Sequence, residues 1–200
     1  MHDLGRNEDR LRGTYEFPFE FHHIDSSHPR YVMSYHWHVE CEIMRVLQGT
    51  LTVTLDEKSF TAKAGDVIFV NSGVLHSGIP QDCIYQCIVF DMNMFLKFNS
   101  VCTEYMQKIS HQELLIYHHF TEKQPDIRRA VNSLFDSFWQ RKPGYELVVF
   151  GQFYHFFGLV FGNHYYLESL RKTRRDYKRI VQLIVYFILF VMLSYACFPK

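Results

Sequence analysis

The sequence has no excess of charge of either sign, no paired cysteine motif and no apolar leader. Its 21 basic and 21 acidic residues cancel, so the chain lacks the strong positive field that would by itself indicate nucleic-acid binding. Five cysteines form no C-x-x-C pair, which argues against a zinc knuckle or dithiol redox site and is typical of small buried side chains in a reducing compartment. The charged first ten residues contain no apolar segment typical of a secretory signal. We therefore expect a cytoplasmic protein.

What the chain does have is enough apolar material for a core, since 48% of its residues are hydrophobic. Residues 15–91 alternate short apolar runs with turns, at Gln48-Gly49, Asp56 to Lys58 and Ala64 to Asp66. Short strands separated by turns at near-even spacing predict a β-sandwich or small barrel.

Beyond Asp91 the pattern changes to that of helices. Asp126 to Trp139 places apolar residues at the spacing of an amphipathic helix, and a second helical stretch runs from Tyr145 to Leu167. The breaker Pro143-Gly144 separates the two, which predicts an antiparallel helical hairpin.

The C-terminal region is basic and then apolar. Six of the nine residues 171–179 are basic, and the nineteen residues 180–198 carry no formal charge, close to the ~20 needed to span a bilayer as a helix. A basic run supplies the sequence-independent part of DNA affinity, but a solvated linker is the favoured interpretation, and no specific DNA binding is expected of this chain.

Three histidines and a glutamate form a candidate metal or ligand site. His36, His38 and Glu42 would share one face of a β-strand, and His76 follows an apolar strand and a glycine-containing turn that can bring it back over them. This set suits a divalent metal such as zinc, iron, nickel or manganese. Glu40 has the same parity, and we expect Glu42 to be the ligand and Glu40 to lie at the rim.

Tyr85, on the last strand, is predicted to face the same cavity, where its ring and hydroxyl could contact a small ligand. The ligand-binding candidates are therefore His36, His38, Glu42, His76 and Tyr85, and the first four are also the candidate metal ligands.

These motifs resemble the paired signatures of the cupin superfamily. His36, His38 and Glu42 match the first motif, Gly49 its closing glycine, and Gly65, Gly73 and His76 the second. More narrowly, the run from Tyr35 to Gly49, then Lys63 to His76, with the helical region and the basic segment, is similar to the N-terminal sensor and dimerisation domain of AraC-type transcription regulators.

The resemblance implies a mainly β fold: a cupin-like, double-stranded β-helix or jelly-roll barrel, then an antiparallel helical hairpin and a C-terminal helix. It covers roughly residues 15–186 and implies an effector-binding barrel (15–91), a helical dimerisation region (92–168) and a basic linker that starts a truncated DNA-binding domain (169–186). An apolar aberrant tail would follow (187–200). A flexible N-terminus (1–14) is expected before the barrel.

The implied function is effector sensing without catalysis. A small, sugar-like molecule would bind in the barrel and two subunits would pair through the helices, while DNA would be bound only by full-length relatives. The alternative is a small metal-dependent cupin enzyme, an isomerase or dioxygenase. For the tail, a frameshift product is favoured over a membrane anchor or a packed helix, so association with a membrane is not expected.

Overall fold

The computed structural model describes residues 7–8, 12–97 and 101–169. Its nine strands are β1 (Phe19–Ile24), β2 (Met33–His36), β3 (Cys41–Leu55), β4 (Lys58–Lys63), β5 (Val67–Val70), β6 (His76–Phe90), β7 (Leu114–Ile116), β8 (His119–Phe120) and β9 (Tyr166–Glu168). Its helices are a 3₁₀ helix (Met92–Leu96), α1 (Thr103–Ser110), α2 (Pro125–Gln140) and α3 (Tyr145–Gly162).

Seven antiparallel strands form one sheet around the long strands β3 and β6. The sheet runs β1-β6-β3-β5-β8, with β2 added to β6 and β4 added to β3. A separate two-stranded sheet pairs β7 with β9. The prediction of a mainly β fold followed by helices is confirmed, and the closed jelly-roll barrel stays a prediction.

The predicted turn at Gln48-Gly49 is wrong. Strand β3 continues through these residues, and the register between β3 and β6 shifts there in a bulge. Gly49 has a φ of +67°, and a Cβ at this position would lie 2.2 Å from the carbonyl oxygen of Asp82 on β6. The glycine therefore permits a bulge and a close strand approach rather than a chain reversal.

Helix α2 confirms its predicted bounds within one residue at each end, and its apolar stripe is buried as expected. Helix α3 ends at Gly162, five residues before the predicted end at Leu167. His164 adopts a φ of +55°, and Tyr165 N–H donates to the Val160 carbonyl at 2.9 Å, as in a Schellman motif. The residues beyond it pair with β7 instead of continuing the helix.

The two helices form the predicted antiparallel hairpin. Asn163, at the end of α3, donates to Asp126 at the start of α2 at 3.2 Å, while the rings of Phe138 and Tyr145 lie 6.3 Å apart at the opposite end. The helices and one face of the sheet share a single aromatic core. The division predicted at residue 91 stays a prediction, and this core packs across it.

The opposite face of the sheet encloses a second apolar cluster. Along β3 successive side chains alternate between the two, with Ile43 in the helix-facing core and Met44 in the inner cluster. Within the described residues, no helix is long and apolar enough to cross a membrane. The predicted basic linker, apolar tail and C-terminal helix lie outside the described residues.

Candidate functional site

The first three predicted metal ligands come from three successive segments rather than from one strand. His36 is the last residue of β2, His38 lies in the bend that follows, and Glu42 is the second residue of β3. The single-strand prediction is wrong because residues 37–40 leave the sheet to bond with the β5–β6 turn: Gly73 N–H donates to the His38 carbonyl at 2.9 Å.

The prediction that His76 folds back beside the first histidine is confirmed. His76 opens β6 and is the direct cross-strand neighbour of His36, and their ring centroids lie 4.2 Å apart. The ligand atoms of His36, His38, Glu42 and His76 all lie within 4.8 Å of one another. His38, Glu42 and His76 are at most 3% exposed, whereas the His36 side chain is 24% exposed, so the group opens towards solvent on the His36 side.

Backbone carbonyls orient all three imidazoles in the same way. Nδ1 of His36, His38 and His76 lies 2.8, 3.1 and 2.9 Å, respectively, from the carbonyl oxygen of a residue two positions away. A carbonyl can only accept, so Nδ1 carries the proton and the Nε2 lone pair faces the centre of the group. This is the arrangement by which proteins present histidines to metals.

The inward nitrogens are unsatisfied as they stand. Nε2 of His76 and of His38 lie 3.2 and 3.6 Å from Oε2 of Glu42, but both are buried and neither makes a hydrogen bond of good geometry. Buried polar atoms without a partner are rare and call for an explanation. A metal ion bound by these nitrogens and the carboxylate would satisfy all of them, so the residues present fit a divalent metal.

The charge states of two members also suit a metal. Burial and the neighbouring His76 lower the pKa of His36, which favours the neutral imidazole. Burial alone would raise the pKa of Glu42, but the close imidazoles of His38 and His76 lower it well below its usual value. Metal ligands must be deprotonated to bind, and both shifts act in that direction.

Comparison with known proteins identifies the family. Residues 18–147 match the AraC-like ligand binding domain. The chain belongs to that family. It is also 34% identical over 56 residues to YdeC, an uncharacterized HTH-type transcriptional regulator of Bacillus subtilis (strain 168), a match that covers 26% of this chain and 19% of the relative. The chain thus matches about a fifth of that regulator's length.

Solved structures match only in part. Oxalate decarboxylase from Bacillus subtilis, an enzyme with Mn(II) centres, is 25% identical over 30% of this chain and 18% of its own, with a TM-score of 0.28. A conserved protein of unknown function, SPY1581 of Streptococcus pyogenes, is 15% identical over 36% of this chain and 62% of its own, with a TM-score of 0.32. At these TM-scores neither similarity indicates a function for this chain.

In this AraC-like domain, Tyr85 lies where it was predicted but with its hydroxyl engaged. It lines a cavity together with His36, His38 and Glu42. Its hydroxyl donates to the carbonyl of Tyr31 at 3.2 Å, and burial raises its pKa. Tyr85 therefore offers the cavity a ring face rather than a free hydroxyl.

Glu40 lies behind His38 and outside the metal group. Its carbonyl accepts from His38 Nδ1, and its Oε2 lies 3.7 Å from the same nitrogen. The geometry thus agrees with the choice of Glu42 over Glu40, and Glu40 acts as an outer partner that orients His38.

Sequence reasoning missed the charged residues that complete the cavity of this AraC-like domain. Glu8, Arg12 and Arg30 line it, although residues 1–14 were predicted to be flexible. Arg12 is only 3% exposed and binds the carboxylates of Glu8 and Glu20 at 2.8 and 2.7 Å. No local pattern predicts this burial, because Glu8 is attached to the distant residues Trp37 and Arg30.

Proposed function

We propose that this chain is an effector-sensing domain of an AraC-type regulator whose small-molecule ligand binds at the cavity lined by His36, His38, Glu42 and Tyr85. Membership of the ligand-binding family makes small-molecule sensing its function at the coarse level. The observation that supports this location is the convergence of inward-facing, unsatisfied imidazole nitrogens on the carboxylate of Glu42. The location, the metal and the identity of the ligand are proposals.

We infer that a divalent metal belongs to the site. Three nitrogen donors and one oxygen donor suit zinc, iron, nickel or manganese. When bound, the metal would supply an electrophilic centre for an oxygen or nitrogen atom of the effector. His36, His38 and His76 would hold it through Nε2, with their Nδ1 protons retained by backbone carbonyls, and Glu42 would balance part of its charge.

The size of the cavity supports a metal more directly than a sugar. It measures about 50 Å³, whereas pockets for drug-sized ligands span roughly 300–1,000 Å³. A volume of this size holds an ion with one or two waters. A sugar-like effector would require the surrounding side chains to move apart.

Metal binding can be tested on the full chain purified without an affinity tag. At a metal concentration of about 100 times Kd, binding should add about 2.7 kcal/mol of stability, which raises Tm by roughly 5–11 °C for a chain of this size. His36→Gln should abolish most of this gain, and His111→Gln, a histidine outside the group, should leave it intact. If the purified chain contains no stoichiometric metal and added metal does not raise its Tm, the proposed metal binding is refuted.

We propose that the site binds without catalysing a reaction, in keeping with its family of regulators. The alternative of a metal-dependent isomerase or dioxygenase predicts turnover of a bound ligand. Incubation of the metal-loaded chain with each ligand that it binds, followed by mass spectrometry, separates the two, because turnover would favour the enzyme.

We further propose a homodimer through the helical region predicted at residues 92–168. The outer face of α3 carries Leu147, Gly151, Tyr154 and Gly158 at helical spacing, with Leu147 80% exposed. A Cβ added at either glycine would meet no atom within 4 Å, so a second helix could approach closely there.

Light scattering tests the dimer. The wild-type chain should have the mass of a dimer, Leu147→Glu should shift it towards the monomer, and Gln140→Glu, which adds the same charge on α2, should not. A monomeric wild-type protein would refute it.

The cytoplasmic location and the absence of specific DNA binding stay predictions. A mobility-shift assay checks the absence of specific DNA binding.

A further inference from the structure

A carboxylate held by two arginines lies beside the metal group, on its more open side. Oε2 of Glu8 accepts a hydrogen bond from Nη2 of Arg12 at 2.8 Å, and Oε1 accepts one from Nη1 of Arg30 at 2.8 Å. The same Oε2 atom lies 3.8 Å from Nε2 of His36. An anion at this position thus contacts two guanidinium groups and the most exposed candidate metal ligand.

Arg12 makes this a built anion position rather than a surface ion pair. The residue is 3% exposed, and its second partner is Oε2 of Glu20 at 2.7 Å. Burial alone would lower the pKa of Arg12, but hydrogen bonds with Glu8 and Glu20 raise it on balance. Without the Glu8 carboxylate, Glu20 would still pair Nη1 of Arg12, but Nη2 would lose its acceptor in a buried position, which favours another anion there.

Arg30 is the adaptable half of the position. Its side chain is 59% exposed, so it can follow a ligand of different shape without loss of core packing. Glu8 itself is attached through its backbone N–H, which donates to the Trp37 carbonyl at 2.9 Å. Its side chain lines the cavity, which measures about 50 Å³ with Glu8 in place.

We propose that the effector carries a carboxylate that takes the place of the Glu8 carboxylate between Arg12 and Arg30, beside His36. This inference rests on the proposed ligand-binding function of the cavity and adds the chemical class of the ligand. Because the Glu8 carboxylate lies 3.8 Å from Nε2 of His36, a second oxygen on the carbon next to the ligand carboxylate can reach the metal group. The favoured class is therefore a small 2-hydroxy or 2-oxo acid.

Calorimetric titration of the full, metal-loaded chain with lactate and pyruvate tests the proposal, with lactamide as the uncharged analogue. Glu8→Gln removes the competing carboxylate at nearly constant shape and should tighten lactate binding about tenfold. Arg30→Gln should weaken it about tenfold. Glu16→Gln, an exposed glutamate, changes the net charge equally and should leave the affinity unchanged.

Metal titrations of the same variants separate this proposal from the function on which it rests. Two results with a Glu8→Gln variant that still binds metal would show that the carboxylate class is wrong. In one, the variant binds lactate no more tightly than lactamide; in the other, it binds lactate no more tightly than the wild type does. If the chain bound only neutral sugars, the proposal of a carboxylate ligand would be wrong, but the proposed ligand-sensing function would stand. A chain that binds neither metal nor any of these probes would count against both.

Discussion

Arg45 joins the sheet to helix α2, and we predict that Arg45→Met destabilises the fold mainly through one neighbour, Gln86. Nε donates to Gln86 Oε1 at 2.9 Å, and Nη2 donates to Asp136 Oδ1 at 2.8 Å. A third bond runs from Nη1 to Asn132 Oδ1 at 3.1 Å. Methionine keeps much of the hydrocarbon contact but removes every donor.

The three partners differ in what they lose. Gln86 is 2% exposed, so its Oε1 would be buried without a donor at a cost of about 1–3 kcal/mol. Asn132 and Asp136 are exposed, so water replaces the lost bonds, and an exposed ion pair contributes about 0–1 kcal/mol. We therefore expect Arg45→Met to cost about 2–3 kcal/mol and Asp136→Asn less than about 1 kcal/mol.

Urea unfolding of the full chain measures both costs. A loss of about 2 kcal/mol should lower the urea midpoint with little change in the dependence of the unfolding free energy on urea concentration. In a thermal scan the same loss should lower Tm by roughly 4–8 °C. The double variant Arg45→Met with Gln86→Met should be more stable than Arg45→Met alone, since the stranded oxygen is gone. Equal costs for Arg45→Met and Asp136→Asn would refute the reasoning.

Three further predictions concern the core, the thiols and the response to pH. Phe153→Ala should cost about 3–5 kcal/mol in thermal unfolding, because its buried ring packs against rings of β1 and β6. Burial raises the pKa of Cys41 to about 12, so mass spectrometry should find it unalkylated by iodoacetamide in the folded protein at pH 8, after the partly exposed Cys102 has reacted. Burial lowers the pKa of His36 in the folded protein below its ordinary value of 6.5. As the pH falls below 6.5, His36 takes up a proton in the unfolded chain more readily than in the folded one, which favours unfolding. Urea unfolding of the metal-free protein should therefore show a loss of stability as the pH falls from 7 to 5.

Each of these expectations has an opposing result. A cost for Phe153→Ala below about 1 kcal/mol would mean that the site collapses without a cavity. Equal labelling rates for Cys41 and Cys102 would contradict the burial of Cys41. If His36→Gln showed the same pH dependence as the wild type, the titrating group would be another residue.

The pattern of apolar residues within one segment was enough to predict that segment's structure where the repeat of the helix or strand alone determines it. The apolar spacing of residues 126–139 predicts α2 and its buried face because the helix repeats that spacing against a flat core. The same reasoning misplaced the end of α3, since residues 166–168 pair with β7, at least fifty residues earlier in the chain, instead of continuing the helix. Strand pairing between distant segments overrides local preference, and no single window contains it.

The candidate site shows the same division. The residue types and spacing of His36, His38, Glu42 and His76 indicated a metal group, and the structure brings them together. The geometry that does so was not the predicted one, because the bend at residues 37–40 depends on hydrogen bonds to the β5–β6 turn. Alternation along one strand gave a correct grouping for an incorrect reason.

The sequence by itself determined the fold class, the family resemblance and the four candidate ligands, since strand alternation, helix period and ligand chemistry are properties of short segments. Tertiary structure alone decided that the imidazoles meet and that Glu8 and Arg12 border the cavity. The carbonyls that orient the imidazoles are only two residues away, but His36 and His76 become neighbours because β2 pairs with β6. Glu8 is likewise placed by hydrogen bonds with Trp37 and Arg30, more than twenty residues away in the chain.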